Sequence, residues 1–325
     1  MRRILACDAP RLASALLLVL VACGPGVRGG GDDDDDDGDR VDSGWPDDDG
    51  DGGPQVTEQC KKMDLVFVID DSGSMELEQR NLGDNFPTFA NLLNSYTIST
   101  GEMLDYRAAI TTTGVTASYT QTINAPPLPP VSVPGSQTGR NGRFVQACNM
   151  QRAWLERTDP NMAQTFACAA NVGINGPGLE MQLRAAELAI QPTTNPGFLR
   201  DDALLGIVIL TDEDDCSFRT SSGIVINGLE GCTTAPGIPA ASEFVTAIDQ
   251  IKGERGRWAA AVIAGQTSCT SDFGDAVEGV RLKQFAQAAG SNVVFGDICQ
   301  GSLTGALQQA LDTFQAACEN FPPID

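Results

Sequence analysis

Two short groups of oxygen-bearing side chains have the types and spacing of a cation site. Asp70, Ser72 and Ser74 alternate directly after one apolar run, and Thr211-Asp212 follows another. Mg²⁺ prefers hard oxygen ligands at about 2.1 Å in an octahedral arrangement. Because the serine hydroxyls are neutral, a cation held by them and by the two aspartates would still attract a carboxylate from another molecule. The alternative is that Asp and Ser only cap the following helix, which needs no metal.

Each group stands at the end of a predicted buried strand. Residues 65–69 and 204–210 are apolar, β-rich runs, which is typical of strands buried on both faces of a parallel sheet. Strands that alternate with helices along the chain predict an α/β fold, in which ligands bind at the carboxyl ends of the parallel strands. Residues 116–147, which contain five prolines, are predicted to be an irregular insertion. Further strands are predicted at 106–112, 258–264 and 292–295, and helices at 76–94, 179–190, 242–252, 280–289 and 303–317.

The motif Asp70-x-Ser72-x-Ser74 after a buried strand, with Thr211-Asp212 after a later one, resembles a von Willebrand factor A domain over residues 62–317. The resemblance implies a Rossmann-like domain with a central, mostly parallel sheet and helices on both faces. It also implies a metal-ion-dependent adhesion site that holds Mg²⁺, or Mn²⁺ or Ca²⁺. Such a site binds a carboxylate presented by a partner protein or glycan. We expect the domain to span residues 60–325.

The sequence departs from the family pattern at one ligand. The family takes a threonine from the loop before the third helix, and that position falls here near Ile174, whose apolar side chain cannot ligate a cation. Asn175 could supply an amide oxygen instead, or Thr112 or Thr113 at the neighbouring strand end could replace the threonine. The acidic residues 213–215 could strengthen the field at the site, but we expect them to be solvated loop charges.

Residues 1–22 are predicted to be an export signal. Three arginines precede the apolar run 12–22, which is too short to cross about 30 Å of hydrocarbon. The run closes on Leu-Val-Ala before Cys23, which resembles the bacterial lipobox; an ordinary cleaved signal is the alternative. The lipobox implies a lipidated Cys23 anchored in a bilayer. By the same resemblance, Gly24 implies the outer membrane or cell surface rather than the inner membrane. The runs DSGSM and TDEDDC with Cys318 also resemble predicted bacterial lipoproteins of unassigned function.

Residues 23–59 are predicted to be an acidic, disordered tether. Between residues 24 and 59 there are 13 acidic residues against two arginines, and the segment has little apolar surface to bury. The tether contains one match to the calcium-loop pattern of an EF-hand, formed by Asp47, Asp49, Asp51, Gly52 and Glu58. An EF-hand needs a helix on each side of its loop, whereas prolines lie before and within this match. We therefore interpret the match as part of the solvated acidic run.

The cysteines indicate an exported, disulfide-bonded domain. Eight remain after Cys23, an even number that predicts disulfides outside the cytoplasm. No C-x-x-C pair occurs among them, so the spacing does not support zinc binding or thioredoxin-like chemistry. Sequence proximity and closure of the domain favour the pairs Cys60–Cys318, Cys148–Cys168, Cys216–Cys232 and Cys269–Cys299.

Composition narrows the function further. The chain has 325 residues, 43 of them acidic and 21 basic, a net charge of −22 and no histidine. Such acidity repels phosphate backbones, so we expect no nucleic acid partner. A hydrolase built on Ser72 or Ser74 would have only carboxylates as bases, so we do not expect an enzyme. The leading hypothesis is a membrane-tethered, extracytoplasmic adhesion module that uses a divalent cation. The alternative is a metal-free scaffold of the same fold that binds through its loops.

Overall fold

The computed structural model describes residues 60–97, 101–124, 126–219, 224–227, 235–300 and 302–323. The chain divides into two units, Met1–Gly53 and Pro54–Asp325, and every described residue belongs to the second. The predicted signal, the lipidation site Cys23, the acidic tether and the calcium-loop pattern therefore lie outside the described residues. Within the described ranges, no helix has the length and hydropathy needed to cross a membrane.

A six-stranded sheet forms the centre of the described unit. Its strands are parallel, except that the short edge strand pairs antiparallel with its neighbour. Two of the predicted strands, 204–210 and 258–264, have the observed bounds. The spatial order is β11 (Val293–Asp297), β8 (Trp258–Ala264), β6 (Leu204–Leu210), β1 (Lys62–Ile69), β2 (Asp105–Thr112) and β5 (Leu155–Glu156).

Alternating side chains of β1 face two hydrophobic cores. Leu65 and Phe67 belong to the core that includes α1 (Glu76–Ser95), α2 (Met162–Ala170) and α6 (Thr304–Glu319). Val66 and Val68 belong to the core that includes α3 (Gln182–Ala189), α4 (Ala241–Lys252) and α5 (Val280–Ala289). Since successive strand residues point to opposite faces, a strand that is apolar throughout needs a helix layer on each side. The fold is the predicted α/β arrangement.

Two strands occur in the insertion at 116–147, so the prediction of an irregular segment is wrong for residues 117–123 and 131–137. β3 (Ala117–Ile123) and β4 (Val131–Gln137) pair antiparallel, and β7 (Val225–Asn227) pairs parallel with β3 to make a second sheet. Four of the five prolines lie in the connection between β3 and β4. The fifth, Pro134, lies in β4 at the edge of the sheet, where a missing N–H is tolerated. A further hairpin joins β9 (Cys269–Ser271) and β10 (Gly274–Ala276).

Three of the four expected disulfides are present. Cys60–Cys318 joins the first and last described segments, Cys148–Cys168 joins the residue that follows the insertion to α2, and Cys269–Cys299 joins the β9–β10 hairpin to the loop after β11. Cys216 is also disulfide-bonded, and its expected partner Cys232 lies outside the described residues.

Candidate metal site

The carboxyl ends of β1 and β6 bring the two sequence motifs together. The parallel register aligns Ile69 with Leu210, and the backbone N–H of Asp70 donates to the Leu210 carbonyl over 2.9 Å. The hydroxyl of Thr211 then donates to Asp70 Oδ2 over 2.5 Å. Asp70, Thr211 and Asp212 are all buried. The structure therefore places both predicted aspartates at one edge of the sheet, beside each other.

A third carboxylate, from Glu180, joins this pair. One carboxylate oxygen of each of Asp70, Glu180 and Asp212 lies within 4.8 Å of the other two. Glu180 is 1% exposed, and its Oε2 lies 3.2 Å from the Thr211 hydroxyl oxygen. An isolated bridge to Gly114 holds the backbone of Glu180 beside the end of β2. We call Asp70, Glu180 and Asp212 the carboxylate cluster.

Sequence reasoning missed Glu180 because the apolar periodicity extended the third helix back to residue 179. In the structure α3 begins at Gln182, so Glu180 lies in the loop that precedes the helix. This is the loop from which the resemblance expected a threonine. The loop therefore brings a buried carboxylate to the site, six residues beyond the expected position near Ile174. The available signal was a glutamate close to the start of a predicted helix, following the Gly-Pro-Gly run 176–178.

The proposed substitutes for the threonine occupy different places. The Thr113 hydroxyl donates to Asp70 Oδ1 over 3.3 Å, so this residue does contact the carboxylate cluster. The buried Thr112 hydrogen-bonds instead to Asp71. Asn175 is exposed and lines a cavity that also contains Asp71 and Thr112. The structure thus places Thr113 against Asp70, whereas Thr112 and Asn175 line a cavity together with Asp71.

The serine hydroxyls are not used as helix caps. Ser72 precedes the short 3-10 turn Gly73–Met75, and it makes no side-chain capping hydrogen bond. The residue before α1 is Met75, which cannot cap with its side chain. The two hydroxyl oxygens, Oγ of Ser72 and Oγ of Ser74, lie 2.9 Å apart, and the Ser72 backbone N–H donates to Asp70 Oδ1. Capping therefore does not account for the motif, and the two hydroxyls are grouped beside Asp70.

Burial and mutual repulsion disfavour the ionised carboxylates of the cluster. The pKa of Asp212 is raised from 3.8 to about 8, first by burial and then by the charge of Asp70, while a hydrogen bond with Ser74 opposes the rise. The pKa of Glu180 is raised well above its ordinary value by burial and by Asp70. An opposite charge close to such groups favours their ionised forms. The cluster is therefore electrostatically suited to a cation.

The residues present fit a hard divalent cation. Asp212 Oδ1 and Glu180 Oε1 are buried and have no hydrogen-bond partner among the residues that the structure describes. Leaving such oxygens unpaired is costly, so buried acceptors normally have a donor or an ion beside them. Together with the hydroxyls of Ser72 and Ser74, these carboxylates are the oxygen ligands that Mg²⁺, Mn²⁺ and Ca²⁺ prefer.

A cleft of about 420 Å³ gives access to this group from outside. Its lining includes Ser74 and Asp212 on one side and the β9–β10 hairpin on the other. The backbone N–H of Val277 donates to the carbonyl of Asp212 over 2.9 Å, which fixes the hairpin end against the loop after β6. Ser74 is exposed while Asp212 is buried. The cleft is thus the side from which an outside group can reach the two residues.

Two of the acidic residues that follow Asp212 are structural, so the expectation of solvated loop charges is wrong for them. Asp214 accepts hydrogen bonds from the backbone N–H groups of Arg281 and Leu282 in the first turn of α5. Asp215 is fully buried, forms an ion pair with Arg281 and accepts from the backbone N–H of Leu183 in α3. Both carboxylates satisfy N–H groups at helix N-termini, where negative charge is favoured.

Comparisons with solved structures give matches at low sequence identity. Proximal thread matrix protein 1 from the mussel byssus is 11% identical, with 78% of this chain and 48% of that chain covered and a TM-score of 0.39. The pilus adhesin SpaC from Lactobacillus rhamnosus GG is 10% identical, with 80% and 30% covered and a TM-score of 0.42. The manganese-loaded TRAP protein of Plasmodium vivax is 12% identical, with 78% and 74% covered and a TM-score of 0.35.

This chain spans about half the length of the mussel protein and less than a third of SpaC. No family model matches the sequence, and no curated protein matches it. The fold is nevertheless von Willebrand factor A-like. Its own topology carries this conclusion, because the D-x-S-x-S motif follows the central strand β1, and Thr211-Asp212 follows the adjacent parallel strand β6.

Proposed function

We propose that this chain is a binding module that uses a divalent cation to hold an acidic group of a partner protein or glycan. The observation that carries the proposal is the carboxylate cluster, in which three buried carboxylates converge and two of their oxygens have no hydrogen-bond partner. Two serine hydroxyls lie beside this cluster, and one of them, that of Ser74, belongs to a residue that lines the open cleft. The residues that would hold the cation are Asp70, Ser72, Ser74, Glu180 and Asp212.

Each part of the site has a distinct task in this proposal. The buried Asp70 is held by Thr211, Thr113 and its own motif backbone, so its carboxyl group would be a positioned ligand for the cation. Ser74 and Asp212 border the cleft and lie where a partner would approach. A bound divalent cation supplies the positive charge that a partner's carboxylate oxygen requires.

We also propose that the module is displayed outside the cytoplasm on a membrane. The disulfides support an oxidising compartment. A lipidated Cys23 would provide the anchor, and residues 23–59 would separate the folded unit from the bilayer. Outer-membrane or cell-surface display follows from the lipobox resemblance. Binding rather than catalysis is proposed, because the two serine hydroxyls contact each other, the chain has no histidine, and the bases grouped at this site among the described residues are carboxylates.

The experiment that tests the cation site is thermal unfolding of the purified protein with and without millimolar Mg²⁺. A ligand present at 100 times its dissociation constant stabilises the folded state by about 2.7 kcal/mol. The native protein should therefore melt at a higher temperature in Mg²⁺, while Asp212→Asn should show no such shift. Asp84→Asn, an exposed change on α1 that removes the same charge, is the matched control and should keep the shift.

The opposite results are equally clear. If Mg²⁺, Mn²⁺ and Ca²⁺ all leave the melting temperature of the native protein unchanged, the chain is the metal-free scaffold. If Asp212→Asn and Asp84→Asn respond to Mg²⁺ equally, the cation binds elsewhere.

A further inference from the structure

A second cavity, of about 380 Å³, lies at the carboxyl ends of β1 and β2. Asp71 and Thr112 line it, and these residues are chain neighbours of Asp70 and of Thr113, whose hydroxyl contacts Asp70. The remaining lining comes from two segments, 138–143 after β4 and 175–177 before α3. The 420 Å³ cleft is lined instead by Ser74 and Asp212. The cleft and the second cavity therefore lie at the same edge of the sheet and are lined by different residues.

The insertion contributes two arginines to this second cavity, at the ends of one tight turn. The backbone N–H of Arg143 donates to the Arg140 carbonyl over 3.2 Å. Between them Asn141 and Gly142 have φ values of 56° and 73°, as in a type I′ turn, for which Asn-Gly is the preferred sequence. The turn therefore fixes the backbones of Arg140 and Arg143 close to each other.

Contacts on both sides hold this turn in place. Asn141 Oδ1 accepts from the backbone N–H of Thr116 over 2.7 Å, and the Asn141 backbone N–H donates to the Gly114 carbonyl. On the other side Gly142 packs so closely that a Cβ added there would lie 2.4 Å from the backbone nitrogen of Ala189. The two arginines are thus presented from an anchored position and not from a free loop.

Arg140 and Arg143 stand out among the basic residues that the structure describes. Each of the others has an ion pair within 4.0 Å or a side-chain hydrogen bond, in a chain with twice as many acidic as basic residues. These two have neither, and both are exposed at the cavity. Asp71, the acid that lines the same cavity, interacts electrostatically with Arg140 but forms no ion pair with it within 4.0 Å; it is also hydrogen-bonded to Thr112 and packed under Gly176.

We propose that Arg140 and Arg143 form a second acid-binding subsite beside the cation, so that the module recognises an acidic peptide segment carrying two carboxylates. One carboxylate would reach the cation, and the other would be held by the arginine pair through charge-assisted hydrogen bonds. A peptide is favoured over a glycan because none of the described residues that line the cavity has an aromatic ring to stack on a sugar face. This inference rests on the proposed function, which supplies the first of the two contacts.

The test uses a fluorescein-labelled 15-residue polyglutamate as probe, with binding measured by anisotropy in millimolar Mg²⁺. Over its general surface a protein of net charge −22 repels this probe, so binding reports a local site. The native protein should bind it, and R140Q/R143Q should bind at least tenfold more weakly. K61Q/R80Q is the control: it removes the same charge from two exposed side chains whose ion pairs lie on the surface, and it should bind as the native protein does.

Equal binding by R140Q/R143Q and native protein would overturn the proposal, as would no binding by a native protein that Mg²⁺ stabilises. The melting temperature of R140Q/R143Q should still rise with Mg²⁺, which keeps the two sites distinguishable. If polyglutamate binding depends on the arginines while no cation stabilises the protein, the cation function fails and the arginine subsite stands. Arginine-dependent binding of an oligogalacturonate of equal charge, without binding of polyglutamate, would overturn the assignment to a peptide.

Discussion

The hydroxyl of Thr211 donates a hydrogen bond to Asp70 Oδ2 over 2.5 Å, and this contact joins the ends of two neighbouring parallel strands. The same hydroxyl oxygen lies 3.2 Å from Glu180 Oε2. Thr211 is therefore the shared neighbour of two carboxylates that come from separate loops. Asp212, which carries the third carboxylate of the cluster, directly follows Thr211 in the chain. The contacts of Thr211 therefore also constrain the position of Asp212.

The metal-free protein should lose stability as the pH rises. The folded-state pKa of Asp212 is about 8 against an ordinary value of 3.8, so protonation of this group favours the folded state. Its stabilising contribution is complete below about pH 4 and is lost as the pH rises through about 8. Urea unfolding in EDTA between pH 5 and about 9 should show this decline. Asp212→Asn cannot titrate and should flatten the profile, whereas Asp84→Asn should retain it.

Replacing Glu180 should stabilise the metal-free folded protein but weaken its binding of the cation. Glu180→Gln keeps the shape of the side chain but removes a carboxyl group whose ionised form is disfavoured by burial and by Asp70, so it should raise the melting temperature in EDTA at neutral pH. The same change removes an anionic ligand and should weaken Mg²⁺ binding by about tenfold or more in calorimetric titration. Glu76→Gln, at the exposed start of α1, should alter neither quantity.

A second variant tests whether this loop binds the cation through Glu180 or through residue 174, the position that the family resemblance suggests. Ile174→Thr introduces a hydroxyl near the expected threonine position, but Glu180 is the residue of this loop that reaches the cluster. We expect Ile174→Thr to leave Mg²⁺ affinity unchanged. An increase in affinity comparable with the loss in Glu180→Gln would show that the loop can present residue 174 to the cation instead.

The principal strands and the two aspartates could be predicted from the sequence, because apolar runs followed by polar turns leave a strong local signal. Glu180 could not, since the apolar period of α3 continues smoothly through Leu179 and gives no sign that the helix begins only at Gln182. Asp214 and Asp215 were missed for a related reason. Their partners, Arg281 and Leu183, are distant in sequence, and only the packed fold shows which helix N-termini the carboxylates reach.

The strands of the insertion, like Glu180, could not be predicted from the local sequence. Five prolines predicted irregularity, although four of them lie in the connection between β3 and β4 and the fifth lies in the edge strand β4. The strands themselves are polar and half-exposed, so they lack the apolar runs that mark the central sheet. Nothing local indicated that Arg140 and Arg143 would line a cavity together with Asp71 and Thr112, since that placement depends on how the hairpin returns across Gly114.

The disulfides should be complete and important for stability. Cys60–Cys318 closes a loop with a sequence separation of 258, for which the chain-entropy model gives about 5 kcal/mol. Cys60→Ser together with Cys318→Ser should therefore lower the free energy of unfolding by several kcal/mol in a urea titration. Thiol titration of the denatured native protein, lipidated at Cys23, should find no free thiol; two or more reactive thiols would contradict the exported compartment.

The membrane anchor should depend on Cys23 alone. Replacing it with serine removes the acylated side chain, and Cys23→Ser should therefore move from the membrane pellet to the soluble fraction after fractionation. Ala22→Ser, an adjacent change that keeps the cysteine, serves as the control and should remain with the membranes. Retention of Cys23→Ser in the pellet after a salt wash would contradict lipid anchoring at this residue.

The most direct measurement of the central claim is the anomalous scattering of Mn²⁺ in crystals of the protein. Manganese accepts the same oxygen ligands as magnesium and can be located without reference to any functional assay. The account predicts an anomalous peak about 2.2 Å from oxygens of Ser72, Ser74 and Asp212, and no such peak in crystals of Asp212→Asn. A native crystal grown in saturating Mn²⁺ without a peak at the carboxylate cluster, or with the same peak in Asp212→Asn, would contradict it.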